Sequence, residues 1–191
     1  MKMAFSFWLA LLFAAGCTPS SSSIPQGVRV YFSPHGGATE AVIDALDHAT
    51  NSVLVQAYSF TSAPIAKALV EAHRRGVKVQ AILDGSQRTE KYSEADFLHD
   101  SEIPTLIDAQ HAIAHNKIIV IDDYLILTGS FNFTKAAEEK NAENLLVIND
   151  PALAKQYIEN WHTHETHSQP YAREESSNER PKRAKPTKVL Q

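Results

Sequence analysis

At 191 residues, with 43% hydrophobic and 21% charged side chains, the chain can bury a core of its own and is too mixed for wholesale disorder or a fibrous repeat. Its one cysteine excludes an intrachain disulfide and a cysteine-based metal cluster, so stability has to come from packing. Formal net charge is −4, and without Lys2 and the segment Arg173 to Gln191, which has six bases against three acids, the body carries roughly −8, unlike the basic footprint of a typical nucleic-acid binder.

The N-terminus reads Lys2, then an apolar run from Ala4 to Ala15 that is too short to span a bilayer, then small residues. Residues 1–16 are therefore expected to be a signal peptide. Ala14-Ala15-Gly16-Cys17 resembles a bacterial lipobox, with Ala14 where that pattern prefers Leu, so both acylation of Cys17 and ordinary cleavage near Gly16 stay open. The expected location is across the inner membrane, in the periplasm, with a lipid anchor to the outer membrane as the Cys17-dependent variant. Residues 17–26 form a polar tether, 27–168 a single folded body, and 169–191 a charged tail with too little apolar surface to fold alone.

Within the body, Val28 to Phe32 predicts a strand, and Gly36-Gly37 open a helix with Ala41, Val42, Ala45, Leu46 and Ala49 on one stripe. A strand over Ser52 to Tyr58 precedes a helix begun by Pro64 and stopped by Gly76, with the stripe Ile65, Ala68, Leu69, Ala72. Val77 to Leu83 is a third strand, Ser93 to His99 a short helix, and Pro104 to Ile107 a small strand. The apolar runs Ile118 to Ile121 and Tyr124 to Leu127 flank Asp122-Asp123, which predicts a hairpin of two central strands. Asn144 to Ile148 adds a strand, and Pro151 to about His164 a closing helix with Leu153, Tyr157, Ile158 and Trp161 inward. The fold class expected is α/β: a mixed, largely central sheet with helices on both faces and parallel crossovers in its first half.

If Asp122 and Asp123 are the two turn residues, Ile121 faces Tyr124, Lys117 faces Thr128 and His115 faces Ser130. His115, Lys117, Ser130 and Asn132 then project from one face toward one small anion. A neutral imidazole can attack phosphorus and form a covalent phosphohistidine, splitting one displacement into two. Lys117 would neutralise nonbridging oxygens, and Ser130 and Asn132 would donate hydrogen bonds to them. Glu143, at the start of the next strand, is the candidate carboxylate for orienting the His115 ring.

His115-Asn116-Lys117, Asp122 and Gly129-Ser130 resemble the H-x-K-x-x-x-x-D-x-x-x-x-x-x-G-S signature of the phospholipase D superfamily. The flanks, Ser130-Phe131-Asn132-Phe133-Thr134-Lys135, Asn141 to Asn144 and Ala57 to Thr61, resemble its small single-motif endonucleases carried by conjugative plasmids. The resemblance, spanning roughly Val28 to Trp161, implies a metal-independent, cofactor-free homodimer acting on DNA, with RNA a second candidate polymer. One chain's His115 would be the nucleophile and the other's the general acid. It also makes Asp122 a motif member of the site, in a supporting rather than attacking role.

Two rival functions remain: a phospholipid phosphodiesterase, which an acidic, membrane-anchored body would suit, and a non-catalytic nucleic-acid-binding subunit of a secretion or conjugation system. His162, His164, Glu165 and His167 have a tempting spacing, but the end of a polar closing helix predicts exposed histidines and no metal. His111 reads as a loop residue. Tyr58 and Phe60 are expected in the core or lining the site, and Arg180 to Lys188 as a solvated terminus.

Overall fold

The computed structural model describes residues 27–173; the leader, the tether with Cys17, and the basic segment Arg180 to Lys188 lie outside the described residues. The chain runs β1 (Gly27–Phe32), α1 (Ala38–Asp47), β2 (Ser52–Ala57), α2 (Ala63–Arg74), β3 (Lys78–Asp84), α3 (Ala95–Asp100), β4 (Thr105–Asp108), β5 (Lys117–Ile121), β6 (Leu125–Gly129), α4 (Lys135–Glu139), β7 (Asn144–Asn149), α5 (Pro151–Glu165) and β8 (Gln169–Pro170). One sheet holds the order β1-β7-β6-β5-β2-β3-β4-β8. The crossovers through α2 and α3 make β2, β3 and β4 parallel, whereas β5, β6 and β7 run antiparallel, joined by a tight turn and then by a longer connection that contains α4.

Two apolar layers hold the sheet. The stripe of α1 (Val42, Ala45, Leu46) and that of α2 (Ile65, Ala68, Leu69, Ala72) pack with alternate residues of the central strands, including Val53, Val55, Ile119, Ile121 and Leu127. On the other face α5 lays Trp161 and Ala154 against Leu54, Ile82, Ile118, Val120 and Ile126. Every residue of β5 is buried, which is why both hairpin runs are apolar throughout. The Trp161 indole donates to the Val55 carbonyl at 2.9 Å, so this large ring is buried without an orphaned donor. Truncating it to Ala would cost about 3–5 kcal/mol.

The folded body extends past the expected boundary at residue 168. β8 pairs with the edge strand β4, Tyr171 is buried, and its hydroxyl donates to Asp96 while Arg173 bridges Asp96 and Asp100. Covering the outer edge of β4 is the physical reason these polar-looking residues are held.

The hairpin register differs from expectation by one residue. Asp122 and Asp123 both take positive φ and the Tyr124 amide donates to the Ile121 carbonyl, as a two-residue turn requires. Tyr124 itself is then extra: the ladder resumes at Ile121↔Leu125 and runs to Ile118↔Thr128, in place of Lys117 with Thr128. That slip alone would separate Ser130 from Lys117. A second irregularity offsets it at Gly129, where φ is 150° and the amides of Ser130 and Phe131 both donate to the Asn144 carbonyl. A Cβ at Gly129 would collide with that carbonyl, so only glycine lets the chain leave the ladder here.

Candidate active site

The carboxyl ends of β2, β3 and β4 and the amino end of β5 lie at one edge of the sheet, with Ala57 paired to Lys117. There His115, Lys117, Gly129, Ser130, Asn132 and Glu143 line one open cavity of about 370 Å³. The four anion-contacting groups expected from the motif therefore do converge, by the bulge rather than by unbroken pairing.

Lys117 is 7% exposed and donates to the His115 carbonyl at 2.9 Å, which ties the two residues together across one peptide unit. Burial pushes its pKa below the ordinary lysine value, and the nearby Glu143 carboxylate acts against that shift. Tyr58 packs its ring 4.6 Å from the His115 ring and lies 5.2 Å from the Lys117 ammonium, so it supports both. Its amide donates to the Asn116 carbonyl at 2.8 Å, closing the strand end on which they sit. Phe60, by contrast, is buried edge-on against Phe133. Ser130 Oγ accepts from the Asn144 amide at 3.0 Å and donates to Asn144 Oδ1 at 3.2 Å. Asn132 Oδ1 is buried and has no hydrogen-bond partner among the described residues. That oxygen is an acceptor and cannot pair with the oxygens of an anion, so a hydrogen bond from Asn132 to a phosphate would come from its Nδ2.

Glu143 lines the cavity, but its carboxylate accepts from Asn141 Nδ2 at 3.1 Å, and no hydrogen bond joins it to His115 among the described residues. It places negative charge beside Lys117 instead of orienting the ring as expected. Asp122 has the supporting, hydrogen-bonding role expected at the turn, but it does not belong with the catalytic set. It sits at the far end of β5, roughly 16 Å from Lys117 at strand rise. Its carboxylate accepts from the Thr50, Asn51 and Ser52 amides and the Thr50 hydroxyl at 2.7–2.9 Å. Burial raises its pKa, and these hydrogen bonds outweigh burial and hold it low. Asp122 ties the hairpin turn to the start of β2 and takes no part in the cavity.

The sequence reading missed Ser33 and Asn144. Ser33 Oγ accepts from the Glu143 amide and donates to the Asn141 carbonyl, and Asn144 holds both Ser130 and the bulge. Neither shows in periodicity, because each acts through strand ends that meet only in the folded sheet. The late histidines also depart from expectation. His162 does pair with Glu165 at the surface, whereas His164 and His167 turn inward, 13% and 19% exposed, and hydrogen-bond the fully buried Asp108, where His111 joins them. Burial alone would raise the Asp108 pKa; hydrogen bonds from His164, His111, the Gln110 amide and His167 hold it well below the usual carboxylate range.

Residues 42–164 match the family described as cardiolipin synthase, PLD-like domain. A phospholipase D of Rickettsia felis is 43% identical over 141 residues, covering 74% of this chain and 70% of the relative. The chain belongs to the phospholipase D superfamily. Among solved structures of that family, Nuc from Salmonella typhimurium shares 42% identity over 76% of this chain and 97% of its own, with a TM-score of 0.73. NucT from Helicobacter pylori is 25% identical over 76% of this chain and 99% of its own, with a TM-score of 0.71. As a phospholipase D family phosphodiesterase, the protein carries the family's motif residues His115, Lys117 and Ser130 in the cavity just described.

Proposed function

We propose that this phosphodiesterase is an endonuclease that cleaves DNA, and RNA by the same chemistry, through a phosphohistidine on His115. The observation that carries the reading is the convergence of His115, Lys117, Ser130 and Asn132 on one small open cavity. Coverage of nearly the full length of Nuc and NucT supports a nuclease.

In the proposed reaction a neutral His115 nitrogen attacks phosphorus while the bond to the leaving oxygen breaks. Lys117, Ser130 and Asn132 stabilise the charge on the nonbridging oxygens. The leaving oxygen takes its proton from the imidazolium of a second copy's His115, and that imidazole then deprotonates the water that breaks the P–N bond. Each chain carries one motif, so the scheme needs a homodimer. Val28, Val30 and Phe32, on one face of the edge strand β1, are 64%, 47% and 64% exposed. This apolar row ends at Ser33, which holds Glu143 at the cavity rim, and so supports a dimer close to the site. No metal takes part in this scheme. The leader-like residues 1–16 favour a periplasmic site of action.

Rapid acid quench of labelled substrate should trap label on the wild-type protein and none on His115→Asn. Unlabelled wild type under turnover would overturn the covalent route. A phospholipid substrate is the second reading, favoured by the acidic body and by the phospholipase D name of the Rickettsia relative. Plasmid nicking set against head-group release from phospholipid vesicles, both with chelator present, separates the two.

A further inference from the structure

Asp108 ends β4, His111 lies three residues on, and His164 and His167 stand at the last turn of α5 and just beyond it. Their side chains meet at one point. His164 Nδ1 is 2.7 Å, His111 Nδ1 3.1 Å and His167 Nε2 3.3 Å from the same oxygen, Asp108 Oδ2. The three rings stand 5.0–5.3 Å apart, centroid to centroid. One ligating atom from each of the four residues lies within 4.8 Å of the others.

A carboxylate oxygen has lone pairs for about two good hydrogen bonds, so three ring nitrogens on one oxygen is a crowded arrangement for hydrogen bonding alone. It is a natural one for a cation at its centre. With metal–ligand bonds near 2.0–2.1 Å, the edge of a coordination tetrahedron is about 3.4 Å, so the nitrogen–oxygen distances of 2.7, 3.1 and 3.3 Å need to open by about 0.1–0.7 Å while the wider separations in the cluster, up to 4.8 Å, close in around the ion. The ion pairs that Asp108 makes among the described residues are all with imidazoles, so no lysine or arginine occupies the place of a metal.

We propose that Asp108, His111, His164 and His167 bind one Zn²⁺ per chain, distinct from the His115 cavity. Three imidazoles and one carboxylate fill a tetrahedral shell, which leaves no position for a reactive water and makes the site a structural clamp. The clamp joins the end of α5 to the loop that begins after Asp108 and delivers His115. The same loop is pinned further along by the Ala114 amide, which donates to buried Asp84 at 2.7 Å. β4 stands three strand spacings from β5, roughly 14 Å, so the metal lies outside reach of the phosphorus at His115. Binding releases whatever protons the facing ring nitrogens carry, and so tightens as pH rises.

The test uses untagged protein stripped with a chelator and returned to chelator-free buffer. Titration with Zn²⁺ should show one saturable equivalent per chain and a Tm that climbs with free Zn²⁺. Co²⁺ should give the visible absorption of a tetrahedral site. His111→Gln, in an exposed loop and safe for folding, and His164→Ala should each weaken Zn²⁺ binding roughly tenfold or more. His162→Ala, on the surface of the same helix, should leave it unchanged. Absence of a one-to-one site, or equal affinity in the His111 and His162 variants, would overturn the proposal. Chelation is expected to lower Tm without removing phosphodiesterase turnover at temperatures where the stripped fold persists. Metal binding can therefore fail or succeed independently of the His115 mechanism.

Discussion

The two ends of the β5–β6 hairpin belong to one sequence motif and have opposite hydrogen-bonding economies. At the turn, Asp122 accepts four hydrogen bonds from residues 50–52, and its charge is spent on structure. At the open end, among the described residues, Lys117 makes a single hydrogen bond to a neighbouring carbonyl, Asn132 keeps a buried oxygen unpaired, and the exposed His115 packs its ring at a tilt against Tyr58. Saturated polar groups hold a fold, and under-saturated ones beside a cavity are available to a ligand. Membership of a motif does not distinguish them, and Ser130 stands between the two: its hydroxyl donates to Asn144 Oδ1 and would have to exchange that bond for one to a ligand.

Substitutions at the two ends should therefore separate activity from stability. The largest effect is expected for His115→Asn, which should lower phosphodiesterase turnover by roughly 10⁴-fold or more with Tm unchanged, since the ring is exposed. Substantial turnover in this variant would remove the distinction between the two ends. Lys117→Met should lower kcat by about 10²–10³-fold. Its pH signature is specific. Because the folded pKa of Lys117 lies below its unfolded value of 10.5, the unfolded chain holds more protons between the two, and wild-type stability gains a contribution as pH rises through that window. Chemical denaturation from neutral to alkaline pH should show this contribution in wild type and its loss in Lys117→Met.

Asn132→Ala is expected to cost about tenfold in kcat with little change in Tm, as measured by steady-state kinetics beside calorimetry. A Tm drop larger than the activity loss would mean that the side chain is structural after all. The smallest effect on catalysis should come from Asp122→Asn, which should keep kcat/KM within about threefold while lowering stability by about 2 kcal/mol, or roughly 4–8 °C in Tm. With the folded pKa of Asp122 held below 3.8, the stability it supplies is present above that value and fades as pH falls through the folded pKa. The variant should accordingly show a flatter acid limb. If Asp122→Asn instead lost activity with stability intact, the turn would be coupled to the cavity in a way its position does not suggest.

Much of the molecule can be read directly from the chain. Pro64 and Gly76 bracket α2, alternating strands and helices place β2, β3 and their crossover, and the spacing of His115, Lys117 and Ser130 points to the family. These features are local, set by backbone propensity and side-chain period within a few residues. The chain alone did not reveal that Tyr124 is an extra residue in the turn, that Gly129 bulges against Asn144, or that Glu143 is held by Asn141. Two errors in the expected register offset each other, so the convergence at the cavity was anticipated for an incomplete reason.

What the sequence by itself determined was the composition of the candidate set and the elements that carry it, because imidazole, ammonium and hydroxyl lie close together along one hairpin. Tertiary structure alone decided which polar groups would be left with spare hydrogen-bonding capacity, and it decided that His164, 56 residues away, would meet Asp108. Such meetings depend on how a closing helix packs across the sheet, and no periodicity within either segment encodes the other's position.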